Sequence, residues 1–135
     1  MQSTIIVSAV IEKDGKYLFG RKIKDSGPYP NCWLLIGGKA YLEKETVEEA
    51  IKREVKEEAG IEIKDIKPIH FDEDYRVRKG EMTHLVFLVH LVKYKSGTPR
   101  AGDDIEKIKW VSKKDLKKLK IASPTRKLFK FLGWI

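Results

Sequence analysis

Residues 37–61 read GGKAYLEKETVEEAIKREVKEEAGI, and the second half of that stretch is marked as a helix at both ends. Thr46 followed by Glu49 forms a capping box, in which two otherwise unpaired backbone N–H groups are satisfied reciprocally. Gly60 supplies a left-handed stop. Between them, residues 46–59 place Val47, Ile51, Val55 and Ala59 on one side as an apolar ridge that must pack on something.

The acids of this helix do not follow the same logic. Glu54 and Glu58 lie about 40° apart around the axis, close to the ridge, with Glu57 beside Glu54 at i+3. Like charges four apart repel by a few tenths of a kcal/mol, and neither Glu54 nor Glu58 has a Lys or Arg three or four residues away. Glu57 and Glu58 also face the negative end of the helix dipole. A divalent cation would reverse the sign of each of these terms. Ordinary solvated pairing accounts for Glu48, Glu49, Lys52 and Lys56, but it does not account for Glu54, Glu57 and Glu58. Arg53 can pair with Glu49 or Glu57, or reach back to Glu45 through a bidentate contact that fixes the preceding loop.

Upstream, TIIVSAVIEKDGKYLFGRK reads as two strands around an Asp14-Gly15 turn. A loop of turn formers follows (Asp25, Ser26, Gly27, Pro28, Pro30, Asn31), then a short strand, CWLLI, running into Gly37-Gly38. Downstream, Ile61 to Tyr75 is extended, with Pro68 marking an edge or a bend. LVFLVHLV, residues 85–92, is a buried central strand, and Ile105 to Val111 is another short one. Ser112 is placed to cap a short helix, KKDLKKL, and Pro124 to begin a last helix ending near Gly133. The order β-β-β-α-β-β-β-α-α predicts an α/β fold, a mixed sheet with helices on both faces.

The chain has 135 residues, 41% hydrophobic and 36% charged, with a formal charge of +8. That size predicts one domain with one core, over residues 1–135. The charge suits anionic partners such as nucleotides, sugar diphosphates or nucleic acid; a Lys/Glu-rich surface of the heat-adapted kind is the alternative. No run of about 18 apolar residues exists, which excludes a helical membrane span. The start has no secretory leader pattern, and the lone Cys32 forbids an internal disulfide, so a reducing cytoplasm is expected.

The stretch 37–61 resembles the Nudix box, in which Gly, five residues, Glu and seven residues precede R-E-U-x-E-E-x-G-U, U being aliphatic. Arg53-Glu54-Val55-Lys56-Glu57-Glu58-Ala59-Gly60-Ile61 fits every specified position, and Glu45 stands eight positions before Arg53. Trp33-Leu34-Leu35-Ile36-Gly37-Gly38 is similar to the family's W-x-L-P-G-G entry, and Trp110-Val111-Ser112 with Asp115-Leu116 to its usual end. The sequence departs from the pattern in three places: six residues separate Gly38 from Glu45, Ile36 stands for Pro, and Lys44 stands for Gly.

The resemblance implies a Nudix-type α/β/α sandwich and Mg²⁺ or Mn²⁺ held by Glu54, Glu57, Glu58 and the Gly38 carbonyl. Asp104, ahead of the closing strand, would complete the set, with Asp103 and Glu106 as neighbours able to substitute. Glu54 or Glu57 would act as base, with Arg53 as the organising member of the catalytic group. Arg21 and Lys39 are candidates for phosphate contact, and Ser123 for a base edge by analogy with MutT-type members. His90 reads as a core or pocket-wall residue, Trp33 and Phe87 as core, and Tyr29 and Tyr75 as rings able to stack on a base.

The activity implied is hydrolysis of a nucleoside triphosphate to monophosphate and pyrophosphate, by a monomer or homodimer. ADP-ribose, other nucleotide sugars and dinucleoside polyphosphates are alternative substrates. A non-catalytic nucleotide- or RNA-binding domain, or an RNA-decapping enzyme, is an alternative role.

Overall fold

The computed structural model describes residues 2–22, 29 and 31–135. Nine elements follow in order: β1 (Ser3–Lys13), β2 (Lys16–Lys22), β3 (Trp33–Lys39), α1 (Val47–Ala59), β4 (Glu62–Arg78), β5 (Glu81–Ser96), β6 (Ile105–Ser112), a 3₁₀ helix (Lys113–Lys118) and α2 (Ser123–Phe131). The turn-rich loop expected over residues 25–31 lies outside the described residues, apart from Tyr29 and Asn31.

The strands form one six-stranded sheet in the order β4-β5-β1-β3-β2-β6. β1 and β5 run parallel, and β1 pairs antiparallel with β3 on its other side. A parallel pair needs a long crossover, and here β2, β3, α1 and β4 supply it. The two-fold alternation of side chains along each strand divides the core. On β1, Val7, Ala9 and Ile11 face α1 and pack with Ile51, Val55 and Ala59; Ile6 and Val10 point to the other face, under Leu128 and Phe129 of α2. The α/β/α sandwich is therefore the observed architecture.

Helix α1 starts as its sequence requires. Glu49 N–H donates to Thr46 Oγ1, Thr46 N–H donates to Glu49 Oε1, and Gly60 takes the left-handed conformation at φ 71°. Asp14 and Gly15 both have positive φ and turn β1 into β2. Pro68 sits in β4 at the sheet edge, where the register slips beside it.

Two details differ from expectation. The segment after Ser112 is 3₁₀ rather than α, and the Ser112 hydroxyl donates to Asp115 instead of capping the turn. Trp33 is only half-buried, with the Arg21 guanidinium and the Lys109 ammonium lying over its ring. Trp33 opens β3 at the margin of the core, packing against it while the two cations lie over its ring. Among the described residues, no helix is long and apolar enough to cross a membrane.

Candidate active site

The acids of α1 divide by height around the helix. Glu54 and Glu58 are buried, at 7% and 2% exposure, whereas the Glu57 side chain is 46% exposed. Strand β3 delivers the two glycines to them. Gly37 N–H donates to Glu58 Oε1 at 3.0 Å. A Cβ on Gly38 would occupy the space of the Glu54 carboxylate, and one on Gly37 would run into the Val7 carbonyl of β1. Glycine at both positions lets sheet and helix approach closely enough to bring backbone and carboxylates together.

Arg53 fastens the loop to the helix. Its Nε and Nη2 donate to the two oxygens of Glu45 at 2.8 Å each, Nη1 donates to Glu54 Oε1 at 2.8 Å, and Nη2 also donates to the Lys39 carbonyl at 3.0 Å. Glu57 Oε2 lies 3.3 Å from Nη1, while Glu49 is committed to the capping box. The extra residue between Gly38 and Glu45 therefore leaves Glu45 in place, where Tyr41 N–H also donates to it. The Arg53 guanidinium first, then that N–H, holds the Glu45 carboxyl down at about 2.

A second strap comes from beyond β5. Arg100 N–H donates to the Ala59 carbonyl and Gly102 N–H to the Glu58 carbonyl, satisfying carbonyls that the last turn of α1 leaves unpaired. This strap carries Asp103, in the left-handed conformation at φ 51°, and Asp104 to the helix. Glu58, Asp103 and Asp104 each present a carboxylate oxygen within 4.8 Å of the others. Lys22, at the end of β2, donates to Asp104 Oδ2 at 2.8 Å.

The electrostatics follow from burial. Burial pushes the Glu58 carboxyl up to about 8, with Glu54 and Asp104 adding to the rise and Gly37 N–H and Lys22 opposing it. Burial also raises Glu54, against the pull of Arg53. Asp104 is raised by burial too, but Lys22 and a hydrogen bond with Glu58 outweigh it and leave the group lowered. Burial thus disfavours the charged forms of Glu58 and Glu54, while Lys22 favours the charged form of Asp104. Buried oxygens whose charge is disfavoured, converging without enough cations to match them, are a donor set suited to a hard divalent ion. Mg²⁺ and Mn²⁺ both fit that chemistry.

A cavity of about 180 Å³ opens on the far side of Gly37 and Gly38, over the α2 face of the sheet. Its floor is apolar (Ile6, Leu35, Phe87, Val89, Leu128), and Lys22 stands between it and the acids. The polar groups on its walls include Tyr29 and Asp72. Tyr29 donates to Asp74 Oδ2 at 2.7 Å and carries Arg76 over its ring. Burial, then the Asp74 acceptor, pushes the Tyr29 phenol well above its ordinary range.

The sequence candidates sort as follows. Glu54 meets Gly38 and Arg53, Glu57 lies 3.3 Å from Arg53, Glu58 groups with Asp103 and Asp104, and Lys39 lines the cavity. Arg21 does not line the cavity: it is taken up by Glu106 and Trp33, which also removes Glu106 from the acid cluster. Ser123 lies outside the cavity lining and accepts from Arg76, its neighbours Ala122 and Pro124 providing the wall instead. Tyr75 is exposed and stacks on His84, away from the cavity. Phe87 and His90 are buried as expected. Lys22 and Asp72 escaped notice because only strand pairing, Lys22 with Ile105 and Asp72 with Phe87, puts them near the site.

The comparisons with known proteins agree with this geometry. A family model described as the NUDIX domain matches residues 2–132. A curated relative, nucleoside triphosphatase NudI of Enterobacter sp. (strain 638), is 31% identical over 136 residues, covering 96% of each chain. The NudI of Escherichia coli O139:H28 is 28% identical over 140 residues, covering 98% of this chain and 99% of that one. A crystal structure of a MutT NUDIX hydrolase from Burkholderia pseudomallei superposes with a TM-score of 0.82 at 30% identity, over 96% of this chain and 98% of that one. The chain belongs to the Nudix family.

Proposed function

We propose that this Nudix chain, acting as one domain over residues 1–135, is a divalent-metal-dependent pyrophosphohydrolase. Its substrate is a nucleoside triphosphate, which it converts to the monophosphate and pyrophosphate. The observation that carries this reading is the adjacency of an apolar, base-sized cavity and a buried carboxylate cluster, separated by Gly37, Gly38 and Lys22. The NudI relatives, named as nucleoside triphosphatases, point to the same substrate class.

Glu54, Glu57, Glu58, the Gly38 carbonyl and Asp104 would hold Mg²⁺ or Mn²⁺, with Asp103 beside them. An ion bound there would neutralise the diphosphate and make a water more acidic. The reaction adds one water across a phosphoanhydride: its oxygen bonds to phosphorus, the bridging oxygen leaves with pyrophosphate, and a carboxylate accepts the proton. Glu57 is the freer of the two base candidates, since Arg53 grips Glu54 at 2.8 Å and Glu57 only at 3.3 Å. Arg53 positions rather than reacts: it holds Glu45, Glu54 and the Lys39 carbonyl in one frame. Lys39 at the cavity mouth and Lys22 beside Asp104 supply positive charge toward phosphates, and the base lies over the apolar floor.

The test is product analysis across nucleoside triphosphates, ADP-ribose, other nucleotide sugars and dinucleoside polyphosphates, with Mg²⁺ and with Mn²⁺. Pyrophosphate plus a nucleoside monophosphate as the dominant products supports the reading. Dominant cleavage of a nucleotide sugar would transfer the assignment to that class. No turnover of any member, together with RNA binding that falls steeply with salt, would replace the enzyme with a binding module.

A further inference from the structure

Strand β4 ends the sheet, and among the described residues nothing pairs with its outer side. Its hairpin with β5 turns through Lys79 and Gly80, both at positive φ, so Arg78 and Glu81 are opposite neighbours. A two-residue turn makes that closing pair hydrogen-bonded, and antiparallel pairs then alternate. Arg78, Arg76 and Asp74 therefore bond to β5, while Val77, Tyr75 and Glu73 turn both N–H and C=O to the open edge. The register stays regular over these residues. Two of the outward N–H groups have found only local acceptors: Glu73 N–H donates to Asp72 Oδ1 and Tyr75 N–H to Asp74 Oδ1.

The side chains along this edge read Asp72-Glu73-Asp74-Tyr75-Arg76-Val77-Arg78, acidic before Tyr75 and basic after it. Such a sequence is complementary to itself run backwards. We infer that β4 is a self-association edge, on which a second copy of this chain adds its own β4 antiparallel about a two-fold axis through Tyr75. In that register Tyr75 meets Tyr75 and Glu73 meets Val77, all residues whose backbone groups point outward, so the ladder bonds close in both directions. Asp74 then stands opposite Arg76 of the second copy, and Asp72 opposite its Arg78, each twice by symmetry.

Pairing exchanges weak local contacts for stronger ones. The carbonyls of the second strand replace Asp72 Oδ1 and Asp74 Oδ1 as acceptors for the edge N–H groups, so that Asp72, which keeps Lys127, and Asp74, which keeps Tyr29 and Arg76 on Oδ2, can each accept from a facing arginine as well. The Tyr75 ring, 55% exposed, and Val77, 64% exposed, gain cross-strand neighbours on the α1 side of the sheet. Aspartates along an edge also serve to discourage pairing with foreign strands; here the arginines make one partner, an identical strand, the exception. Because Asp72 lines the cavity, the interface is continuous with the substrate pocket.

The test is the mass of the full chain by sedimentation over a concentration series, for the parent, Arg78→Asp, Asp72→Arg and an equimolar mixture of the two variants. The parent should reach twice the 15.6 kDa of the chain. Each variant alone places like charges opposite each other and should weaken the dimer about tenfold or more. The mixture restores opposite charges at both symmetric positions and should dimerise again, an outcome that misfolding cannot produce. As an independent reading on the parent, the amides of Glu73, Tyr75 and Val77 should gain hydrogen-exchange protection with concentration, while those of Asp74 and Arg76 should not. A parent that stays at the monomer mass with no such protection, or a dimer that both variants leave intact, overturns the inference.

Discussion

Glu58 is the residue on which fold and chemistry conflict most openly. It is 2% exposed and burial raises its carboxyl to about 8, so folding without a cation beside it works against its charge. Glu58→Gln keeps the shape and the hydrogen bond from Gly37 but removes the charge. We expect the variant to raise the melting temperature of the metal-free protein by a few degrees while lowering kcat/KM with Mg²⁺ by about a hundredfold or more. Calorimetry with and without EDTA, alongside turnover, checks both halves. Arg53 acts differently, through its two parallel bonds to Glu45, which a lysine cannot reproduce. Arg53→Lys should cost about 10–100-fold in activity, and isothermal titration should show weaker Mg²⁺ binding. The burial of Glu54 and Glu58 was legible in the sequence because helix periodicity sets both beside an apolar ridge, while Glu57 turns outward. Lys22 and Asp72 were not, since a strand residue's neighbours depend on register.

At the scale of elements, α1 is held by devices that can be read locally and by one that cannot. Its capping box is visible in Thr46 and Glu49, and Thr46→Ala should destabilise the protein by about 1 kcal/mol, measurable as a lower urea midpoint with unchanged slope. The strap over its far end, through the backbone N–H groups of Arg100 and Gly102, leaves no sequence signature beyond glycine at 102. A side chain there would strike the Glu57 carbonyl. Gly102→Val should therefore push Asp103 and Asp104 away from Glu58 and weaken metal binding while the sheet stays intact, as read by Mg²⁺ titration and circular dichroism together. The helix after β6 was misread as α for a related reason. Its lysines and leucines carry helical periodicity, but the bridge of Ile121 to Trp33 follows so soon after Ser112 that the six residues Lys113–Lys118 wind as the tighter turn.

For the whole molecule, the order of elements was legible because the Asp14-Gly15 turn, the Gly60 stop and the apolar run at 85–92 each punctuate the chain. The sheet order was not, since the parallel pairing of β1 with β5 joins segments far apart in sequence. His90 lies in that pairing, opposite Ala9, and burial depresses its pKa against the influence of the Leu88 and Ser8 backbone. A folded state that binds fewer protons than the unfolded one loses stability as pH falls through and below the unfolded value of 6.5. Glu58, raised to about 8, acts in the opposite sense as pH falls towards 4.5, so the His90 effect is read as a difference: the urea midpoint of His90→Gln relative to the parent should rise as pH falls below 6.5.

Centrally, we propose that the carboxylates of α1 work through a divalent ion to open a phosphoanhydride. The direct test is pyrophosphate release from nucleoside triphosphates by the parent, Glu57→Gln and Glu58→Gln, each with Mg²⁺ and with EDTA. Turnover is expected in the parent with Mg²⁺ alone, and its loss in both variants. Turnover that survives EDTA, or that either variant retains at the parent's rate, would contradict it.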